Sequence, residues 1–522
     1  MIRLISAARL LGVDAPVDVW VSDAGRVDAV TPVGALTAST APGETLHADG
    51  RVLTSGLWDE HVHLGQWAQQ TARPDFIAAG SAEQALSLAS QFLAESAREA
   101  AHGAAAPELI GMRLRGGDWG GLTRAQLDGV SAEIPIVLIG VDLHGAWLNS
   151  AALRRHGFPA DHGAHVVEDA CFALLGELDR VSDAELDARV AAGALQAASR
   201  GIVGVVDFEM RWGVDDWLRR EAAGWHALRV ESAVYPQLLD RAISLGLRTG
   251  SPLGHGGHGG LASLGPLKVI TDGSLGTRTA LCCAPYPGGG HGRELVAQSH
   301  LTELLAHARR GGFTAAVHAI GDRANAQALD AFEASGAAGR IEHAQLLRPE
   351  DVVRFGRLGI AASVQPAHLL DDVPGMRALW PDRAGNAFPF ASLLAAGAAV
   401  VFGSDAPVAP LDPWLAIAAA VTRAPEGDEP WVPEERLSVA QALRCSMRGP
   451  LRPGPGDAAD LVLLDCDPLG ADPSDEDPHG ADSSGKDPRA TSATPPPGAF
   501  RAPAVEATLL RGEPTYLAPS LR

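Results

Sequence analysis

The stretch Leu57-Trp58-Asp59-Glu60-His61-Val62-His63-Leu64 decides the fold of this chain. Successive side chains of a β-strand point to opposite faces, so a strand here places His61 and His63 on the same face. Two imidazoles on one side of a rigid element can chelate a divalent metal. Because two histidines at this spacing also arise by chance, the pair gains weight only from the segments downstream of it.

Four later segments each read as a short apolar strand with one metal-competent side chain near its C-terminal end. Helix-length segments separate them, and alternating strands and helices predict a parallel sheet whose carboxyl ends converge in a closed barrel. The predicted fold class is therefore α/β, a (β/α)8 TIM barrel. The four side chains are Lys268 in 265–273, His318 in 313–322, His343 in 340–345 and Asp405 in 399–407. The predicted barrel strands lie near 57–63, 202–208, 228–235, 266–272, 313–318, 340–344, 360–365 and 399–405.

These motifs together resemble the amidohydrolase superfamily. Within it they resemble amidohydrolase family 3, the YtcJ-like enzymes that include N-substituted formamide deformylase. The joint occurrence of many motifs in the family's order is far more specific than any one of them. The matching segments, from residue 55 onward, are SGLWDEHVHL, VDLHGAWLNSAAL, LKVITDGSLGTRTA, VHAIGDRA, RIEHAQLL, SVQPAH and FGSDAPVAPLDPW.

The resemblance implies a centre of two divalent metals, with zinc as the expected ion. His61, His63 and Asp405 would hold one ion, and the histidines 318 and 343 would hold the other. Lys268 would bridge the ions if its amine is carboxylated, and an apolar strand should lower its pKa and supply the neutral amine. The alternative is a plain lysine that holds a substrate group or an ion pair in a site with one metal.

The resemblance also implies the chemistry, in which a metal-bound hydroxide attacks a carbonyl group. Asp405 would accept the proton as general base and pass it to the departing amine as general acid. Two alternatives remain open. Asp405 could be a helix N-cap before Pro407, and His318 and His343 could be buried histidines that donate to carbonyl groups.

Residues after the barrel strands and in the first insertion are candidate substrate contacts. Two acidic residues, Asp322 and Glu342, are predicted to orient ligand histidines, as carboxylates behind a metal site commonly do. Surface salt bridges are the alternative for both. The candidate substrate contacts are His144, Asp272, Ser274, Arg278, Gln365 and His368.

Composition fits a soluble globular enzyme and restricts its partners. The chain has 522 residues, 46% hydrophobic and 20% charged, and its net charge of −21 argues against nucleic acid and anionic membranes. Five cysteines without zinc-finger spacing favour reduced thiols and a cytoplasmic location. The N-terminus reads as a strand and not as a secretory leader, and no apolar run is long enough for a membrane span.

The length of the chain predicts one large domain and a smaller one. The resemblance implies that residues 1–54 and 450–522 form one composite β-sandwich, and the short apolar runs at both ends are compatible with this. The segment 467–499 within it is rich in Asp, Pro, Gly and Ser and is predicted to be a disordered insertion. Residues 55–449 would form the barrel. Within it, 64–200 is too long for a plain loop and is predicted to be a capping subdomain at the barrel mouth, where the substrate enters.

The sequence therefore predicts a metal-dependent hydrolase that cleaves a non-peptide carbon–nitrogen bond of a small molecule. An N-substituted formamide or a similar small amide is the leading substrate class. Hydrolysis of an ester, a lactone or a cyclic imidate at the same centre is the alternative. A non-catalytic oligomeric scaffold is a remote alternative, and an active homo-oligomer is also compatible with the sequence.

Overall fold

The computed structural model of the chain describes most residues outside a few short gaps and one longer gap. The described ranges are 1–36, 44–100, 108–115, 120–140, 145–254, 260–425, 428–470 and 500–521. Two predictions fall on the remaining residues. His144 and residues 471–499 of the predicted disordered insertion lie outside the described part of the chain.

Eight parallel strands form one sheet. They are β6 (Leu57–Val62), β11 (Ile202–Asp207), β12 (Arg229–Val234), β13 (Ala262–Ile270), β14 (Ala315–Ala319), β15 (Gly339–His343), β16 (Ala361–Val364) and β17 (Val400–Phe402). Their order in the sheet is β17-β16-β15-β14-β13-β12-β11-β6. Such strands are covered on both faces and therefore read as nearly continuous apolar runs; β11, for example, is buried throughout.

The first and last strands meet and nearly close the sheet into a barrel. The backbone N–H of His63 donates to the carbonyl of Ala406 at 2.8 Å, and the N–H of Asp405 donates to the carbonyl of His61 at 2.7 Å. Val62 and Ala406 form a parallel bridge at the same seam. The predicted α/β barrel is confirmed.

Helices alternate with the strands and shield the outside of the barrel. They are α7 (Gly213–Ala222), α8 (Pro236–Ser244), α9 (Gln298–Arg310), α10 (Asp322–Ser335), α11 (Pro349–Leu358), α12 (Pro366–Leu379), α13 (Phe390–Ala395), α14 (Pro413–Thr422) and α15 (Val439–Cys445). The side chains that face the barrel are apolar, as on α9, where Leu301, Leu305 and Ala308 recur at helical spacing and are buried.

The two ends of the chain build a second sheet of eight strands. These are β1 (Leu4–Leu10), β2 (Pro16–Val21), β3 (Val27–Pro32), β4 (Thr45–His47), β5 (Val52–Ser55), β18 (Leu461–Leu464), β19 (Val505–Leu510) and β20 (Glu513–Leu517). Strand β18 from the C-terminal end pairs antiparallel with β5 from the N-terminal end, with Leu461 opposite Ser55. A cluster of buried aliphatic side chains from both ends, including Ile5 and Leu463, forms the core of this sheet.

Residues 65–193 form a separate compact unit. Its strands are β7 (Leu109–Leu114), β8 (Ile136–Gly140), β9 (Gly145–Leu148) and β10 (His165–Val167). They form one sheet in the order β10-β9-β8-β7, and the unit has its own apolar core, to which Phe76, Leu138 and Trp147 contribute. The helices between β6 and β11 are α1 (Leu64–Thr71), α2 (Ala82–Ala100), α3 (Arg124–Val130), α4 (Ser150–Arg155), α5 (Glu168–Leu178) and α6 (Asp183–Ala198).

Among the described residues, no helix has the length and apolar character that crossing a membrane requires. All five cysteines are described and all are free thiols.

Candidate metal centre

Asp405 and the histidine pair of β6 form the first cluster of ligand atoms. The Nε2 atoms of His61 and His63 lie 3.4 Å and 3.6 Å from the same oxygen, Oδ1 of Asp405. Asp405 reaches this place because the chain leaves β17 at Gly403 and takes a left-handed turn at Asp405, with φ of 57°. The N-cap alternative for Asp405 does not hold, since the side chain of Asp412 caps the following helix.

Glu342 fixes the orientation of the His61 ring. His61 Nδ1 donates to Glu342 Oε2 at 2.7 Å, so its Nε2 is left to face Asp405. Both side chains are buried, and Oε1 of Glu342 lies 2.7 Å from Nε of Arg340. Burial alone would raise the pKa of Glu342, but Arg340 and His61 lower it to about 2. Glu342 is thus an ionised carboxylate in the interior, and the surface salt-bridge alternative does not apply.

Lys268 lies inside the same cluster. Its Nζ is 3.3 Å from His61 Nε2 and 4.1 Å from the centre of the Phe208 ring. The side chain is only 2% exposed, and this burial lowers the pKa of Lys268 to about 8. The pKa of Lys268 is thus shifted in the predicted direction, which raises the fraction of neutral amine at a given pH.

Three further histidines lie beside this first cluster. The rings of His318 and His343 meet edge to face with their centres 4.4 Å apart. The ring of His368 stacks on that of His343 at 6.2 Å, and its Nε2 lies 3.9 Å from Asp405 Oδ2. One ligand atom each from His343, His368 and Asp405 fall within 4.8 Å of one another, as do those of the first cluster.

The interior sets the protonation states that a metal requires, namely neutral imidazoles and an ionised carboxylate. Burial, together with the charge of Lys268, lowers the pKa of His61 to about 4 and that of His318 to about 3. Burial and His318 lower the pKa of His343 as well. Burial would raise the pKa of Asp405, but the neighbouring His61 and a hydrogen bond with His63 hold it well below its usual value.

The donor atoms present fit a divalent metal. Ring nitrogens of four histidines are buried without a hydrogen-bond partner in the described structure, although buried polar groups are nearly always satisfied. His318 also hydrogen-bonds the backbone of Gly273 through its ring, as ligand histidines commonly do with their second nitrogen. The four atoms are His63 Nδ1, His318 Nε2, His343 Nδ1 and His368 Nε2. The nitrogen of His63 that faces Asp405 is Nε2, so the three other histidines carry this argument.

Asp272 does not occupy the place predicted for it. Its carboxylate has no exposed surface and accepts the backbone N–H groups of Leu281, Ile320 and Gly321 at 2.8 to 3.1 Å. His318 Nε2 lies 3.5 Å from its Oδ1. Burial raises the pKa of Asp272 to about 7. Three backbone donors occupy the carboxylate, so the structure makes Asp272 an anchor of the loop behind His318 instead of a substrate contact.

Asp322 and Gln365 also differ from their predicted surroundings. Asp322 accepts the backbone N–H of Cys283 at 2.8 Å, which ties the segment after β13 to the start of α10. The carboxylate next to His318 is Asp272, and the orienting role of Asp322 stays a prediction. Gln365 is 1% exposed, and its Nε2 lies 3.4 Å from His61 Nδ1, behind the histidine instead of in front of it.

The loop after β13 carries the two remaining predicted substrate contacts. Ser274 and Arg278 both have exposed side chains. Ser274 Oγ shares a hydrogen bond with Thr277 Oγ1 at 2.9 Å, and Arg278 takes a left-handed backbone conformation with φ of 57°. Their role toward a substrate stays a prediction.

Sequence reasoning missed three residues of this site. Phe208 meets the His61 ring edge-on at 4.5 Å, and the hydroxyl of Tyr235 donates to the Phe208 carbonyl at 2.8 Å. Arg340, which is partly buried, is the ion-pair partner of Glu342. Phe208 and Tyr235 directly follow β11 and β12, and position at a strand end was the signal that could have found them.

Comparison with known proteins agrees with this geometry. The sequence model of the amidohydrolase family matches residues 44–516. The chain belongs to the amidohydrolase family.

Two curated relatives of this amidohydrolase match over most of their length, and a third matches over about a third of its length. Protein LONG AFTER FAR-RED 3 of Arabidopsis thaliana is 30% identical over 80% of the chain and 79% of its own length. The amidohydrolase-like protein YtcJ of Bacillus subtilis strain 168 is 27% identical, and the match covers 83% of this chain and 87% of the relative. N-substituted formamide deformylase of Arthrobacter pascens is 28% identical, and the match covers 34% of this chain and 36% of the relative.

Solved structures share the fold of this amidohydrolase. An uncharacterized metal-dependent hydrolase from Pyrococcus horikoshii OT3 superposes with a TM-score of 0.71 at 23% identity. The match covers 90% of this chain and 97% of the other. Family membership and the clustered ligands together identify the chain as a hydrolase of the metal-dependent amidohydrolase type.

Proposed function

We propose that this amidohydrolase hydrolyses a non-peptide carbon–nitrogen bond of a small amide, with N-substituted formamides as the leading substrate class. The observation that carries the proposal is the position of Asp405. One of its oxygens lies within 3.6 Å of two imidazole Nε2 atoms, at the rim where the first and last strands meet. A carboxylate there can serve both as a ligand and as a proton carrier.

A divalent ion bound by these residues would acidify a water molecule and polarise the substrate carbonyl. His61 and His63 would hold it through Nε2, and Glu342 keeps the His61 ring in the orientation this requires. Asp405 would accept a proton from the attacking water and return it to the nitrogen of the departing amine. Because an unprotonated amine anion is a poor leaving group, amide hydrolysis in particular needs this proton transfer to nitrogen.

Zinc is our proposal for the ions, with Lys268 carboxylated as the bridge between them. Neutral imidazole and carboxylate ligands suit zinc. The burial of Lys268 and its lowered pKa support formation of the carbamate, since only the neutral amine reacts with carbon dioxide. A centre with one ion and a plain lysine is the competing arrangement, and an elemental analysis that returns two zinc ions per chain would exclude it.

The proposed substrate class draws on one relative. The Arthrobacter pascens protein is named as an N-substituted formamide deformylase, and its match covers about a third of this chain. We infer the same bond type here because the chemistry belongs to the barrel, whose predicted ligand positions are all filled. Esters, lactones and cyclic imidates remain the competing substrates for the same centre.

The experiment compares amide and ester hydrolysis by the purified, zinc-loaded protein. N-substituted formamides, acyl-amino acids and lactones are assayed with the wild type, with Asp405→Asn and with Asp412→Asn. Asp405→Asn should lower kcat for formamides by at least about 10²-fold, the lower range for loss of a general acid–base. Asp412→Asn is the matched control, since it lies in the same loop and asparagine keeps the helix cap.

The outcomes separate the candidates. Turnover of lactones without turnover of any amide would replace the proposed bond type with the alternative. Full amide activity in Asp405→Asn would overturn the assignment of the proton carrier.

A further inference from the structure

His368 lies directly beside the ligand Asp405, although the sequence predicts it as a substrate contact. It sits in the first turn of α12, directly after β16. Its Nε2 is buried, has no hydrogen-bond partner in the described structure, and lies 3.9 Å from Asp405 Oδ2. An unpartnered buried nitrogen aimed at a carboxylate points to a cation between them.

The two oxygens of Asp405 face different histidines. Oδ1 faces the histidine pair of β6, whereas Oδ2 faces His368. His343, His368 and Asp405 each offer one atom within 4.8 Å of the other two. Ligand atoms on one tetrahedral zinc lie roughly 3.4 Å apart, given bonds of about 2.0–2.1 Å. Small side-chain adjustments would therefore let these three share an ion.

His318 lies in different surroundings. Its Nε2 is 3.5 Å from Oδ1 of the buried Asp272, and its ring meets His343 only edge to face. His368, in contrast, stacks nearly parallel to His343, with 20° between the ring planes. The second cluster in this structure thus combines His343 from β15 with a histidine from the end of β16, and His318, predicted from β14, is not one of its members.

We propose that His368 is a ligand of the second metal ion, together with His343 and Asp405. The proposal rests on the proposed metal-dependent function and extends its ligand set by one residue. It replaces the predicted substrate-contact role of His368 with a coordinating role, and it makes the loop after β16 part of the metal centre.

Metal titration of the full-length apoprotein tests the proposal without any substrate. Zn²⁺ affinity is measured by chelator competition, and Co²⁺ coordination by visible absorption, for the wild type, His368→Ala and His307→Ala. His307→Ala is the control because it removes a histidine on α9 that pairs with Asp240. We expect two ions in the wild type and control. In His368→Ala the first ion should bind normally and the second at least about 100-fold more weakly, beyond the 10- to 100-fold effect of groups behind a ligand.

A second variant guards against a folding defect. His368→Glu supplies a carboxylate oxygen at similar reach, so it should bind the second Co²⁺ with a changed absorption band. An unchanged second-ion affinity in His368→Ala, or a wild-type band in His368→Glu, would overturn the coordinating role. A wild type that binds a single ion would also overturn it. A wild type that binds no ion at all would instead refute the proposed metal-dependent function.

Discussion

Glu342 is the residue on which the orientation of His61 depends. Its Oε2 accepts a hydrogen bond from the Nδ1–H of His61, with 2.7 Å between the oxygen and the nitrogen. We predict that Glu342→Gln weakens metal binding by about 10- to 100-fold, the usual effect of removing a charged partner behind a ligand. A neutral amide holds the ring less firmly and makes Nε2 less basic. Chelator competition with Zn²⁺ measures the affinity directly.

The matched control is Asp351→Asn, which neutralises another fully buried carboxylate. Asp351 lies in the first turn of α11 and pairs with Arg348 and Arg354. This variant should lose stability but retain the metal affinity of the wild type. An equal drop of affinity in both variants would show that Glu342 acts through general stability and not through His61.

Single residues of the site can be predicted from the sequence where the residue type has few possible roles. Histidines at strand ends have few other uses there, and the structure brings His61, His63, His318 and His343 together. Phe208 was missed, although it follows the end of β11, because an aromatic side chain there is usually only a packing residue. The surroundings of Asp272 could not be predicted, since its position after β13 does not reveal that three backbone N–H groups converge on it.

The seam between β6 and β17 is the element that holds the ligand pair against Asp405. A Cβ atom added at Gly403 would lie 2.6 Å from the backbone nitrogen and the Cβ of His61. We predict that Gly403→Ala forces the two strands apart, lowers the free energy of unfolding by about 1–3 kcal/mol, and weakens metal binding. Denaturant unfolding and metal titration measure the two effects.

Gly385→Ala is the control for this substitution. A Cβ atom at Gly385 would meet nothing within 4 Å, so stability and metal affinity should both be unchanged. Wild-type metal affinity in Gly403→Ala would contradict the idea that the close approach of these strands sets the ligand spacing.

The strands were predictable as elements because burial on both faces leaves a continuous apolar run between turn residues. The exact ends of the strands were less predictable from the sequence. The last strand stops at Phe402, three residues before Asp405, where the predicted strand continues to 405. The reason is local, since the left-handed turn at Asp405 is required by the seam and is not encoded in the apolar pattern.

For the whole molecule, the segment 471–499 should be dispensable. The residues before and after it are already joined, because Asp465 and Ala504 exchange hydrogen bonds at 3.0 Å and 2.7 Å. We predict that deleting 471–499 leaves turnover unchanged and stabilises the protein by about 1 kcal/mol through the roughly fourfold shorter loop. Thermal unfolding and formamide turnover of the deletion variant test this.

One further variant completes the test. A second variant that replaces 471–499 with a glycine–serine linker of equal length should match the wild type in both measurements. Loss of soluble protein in the deletion variant would show that the segment contributes contacts to the fold.

The pairing of β5 with β18 has a consequence for synthesis. The amino-terminal strands leave the ribosome first, yet the edge of β5 finds its neighbour only when Leu461 and the residues around it have been translated. Bringing such distant segments together carries a high loop-closure entropy, which slows folding and leaves apolar edges open to aggregation in the interval. The terminal sheet of this amidohydrolase therefore cannot be completed before β18 has been translated, and nascent chains that stall before β18 should expose an unpaired edge of β5 and depend on chaperones.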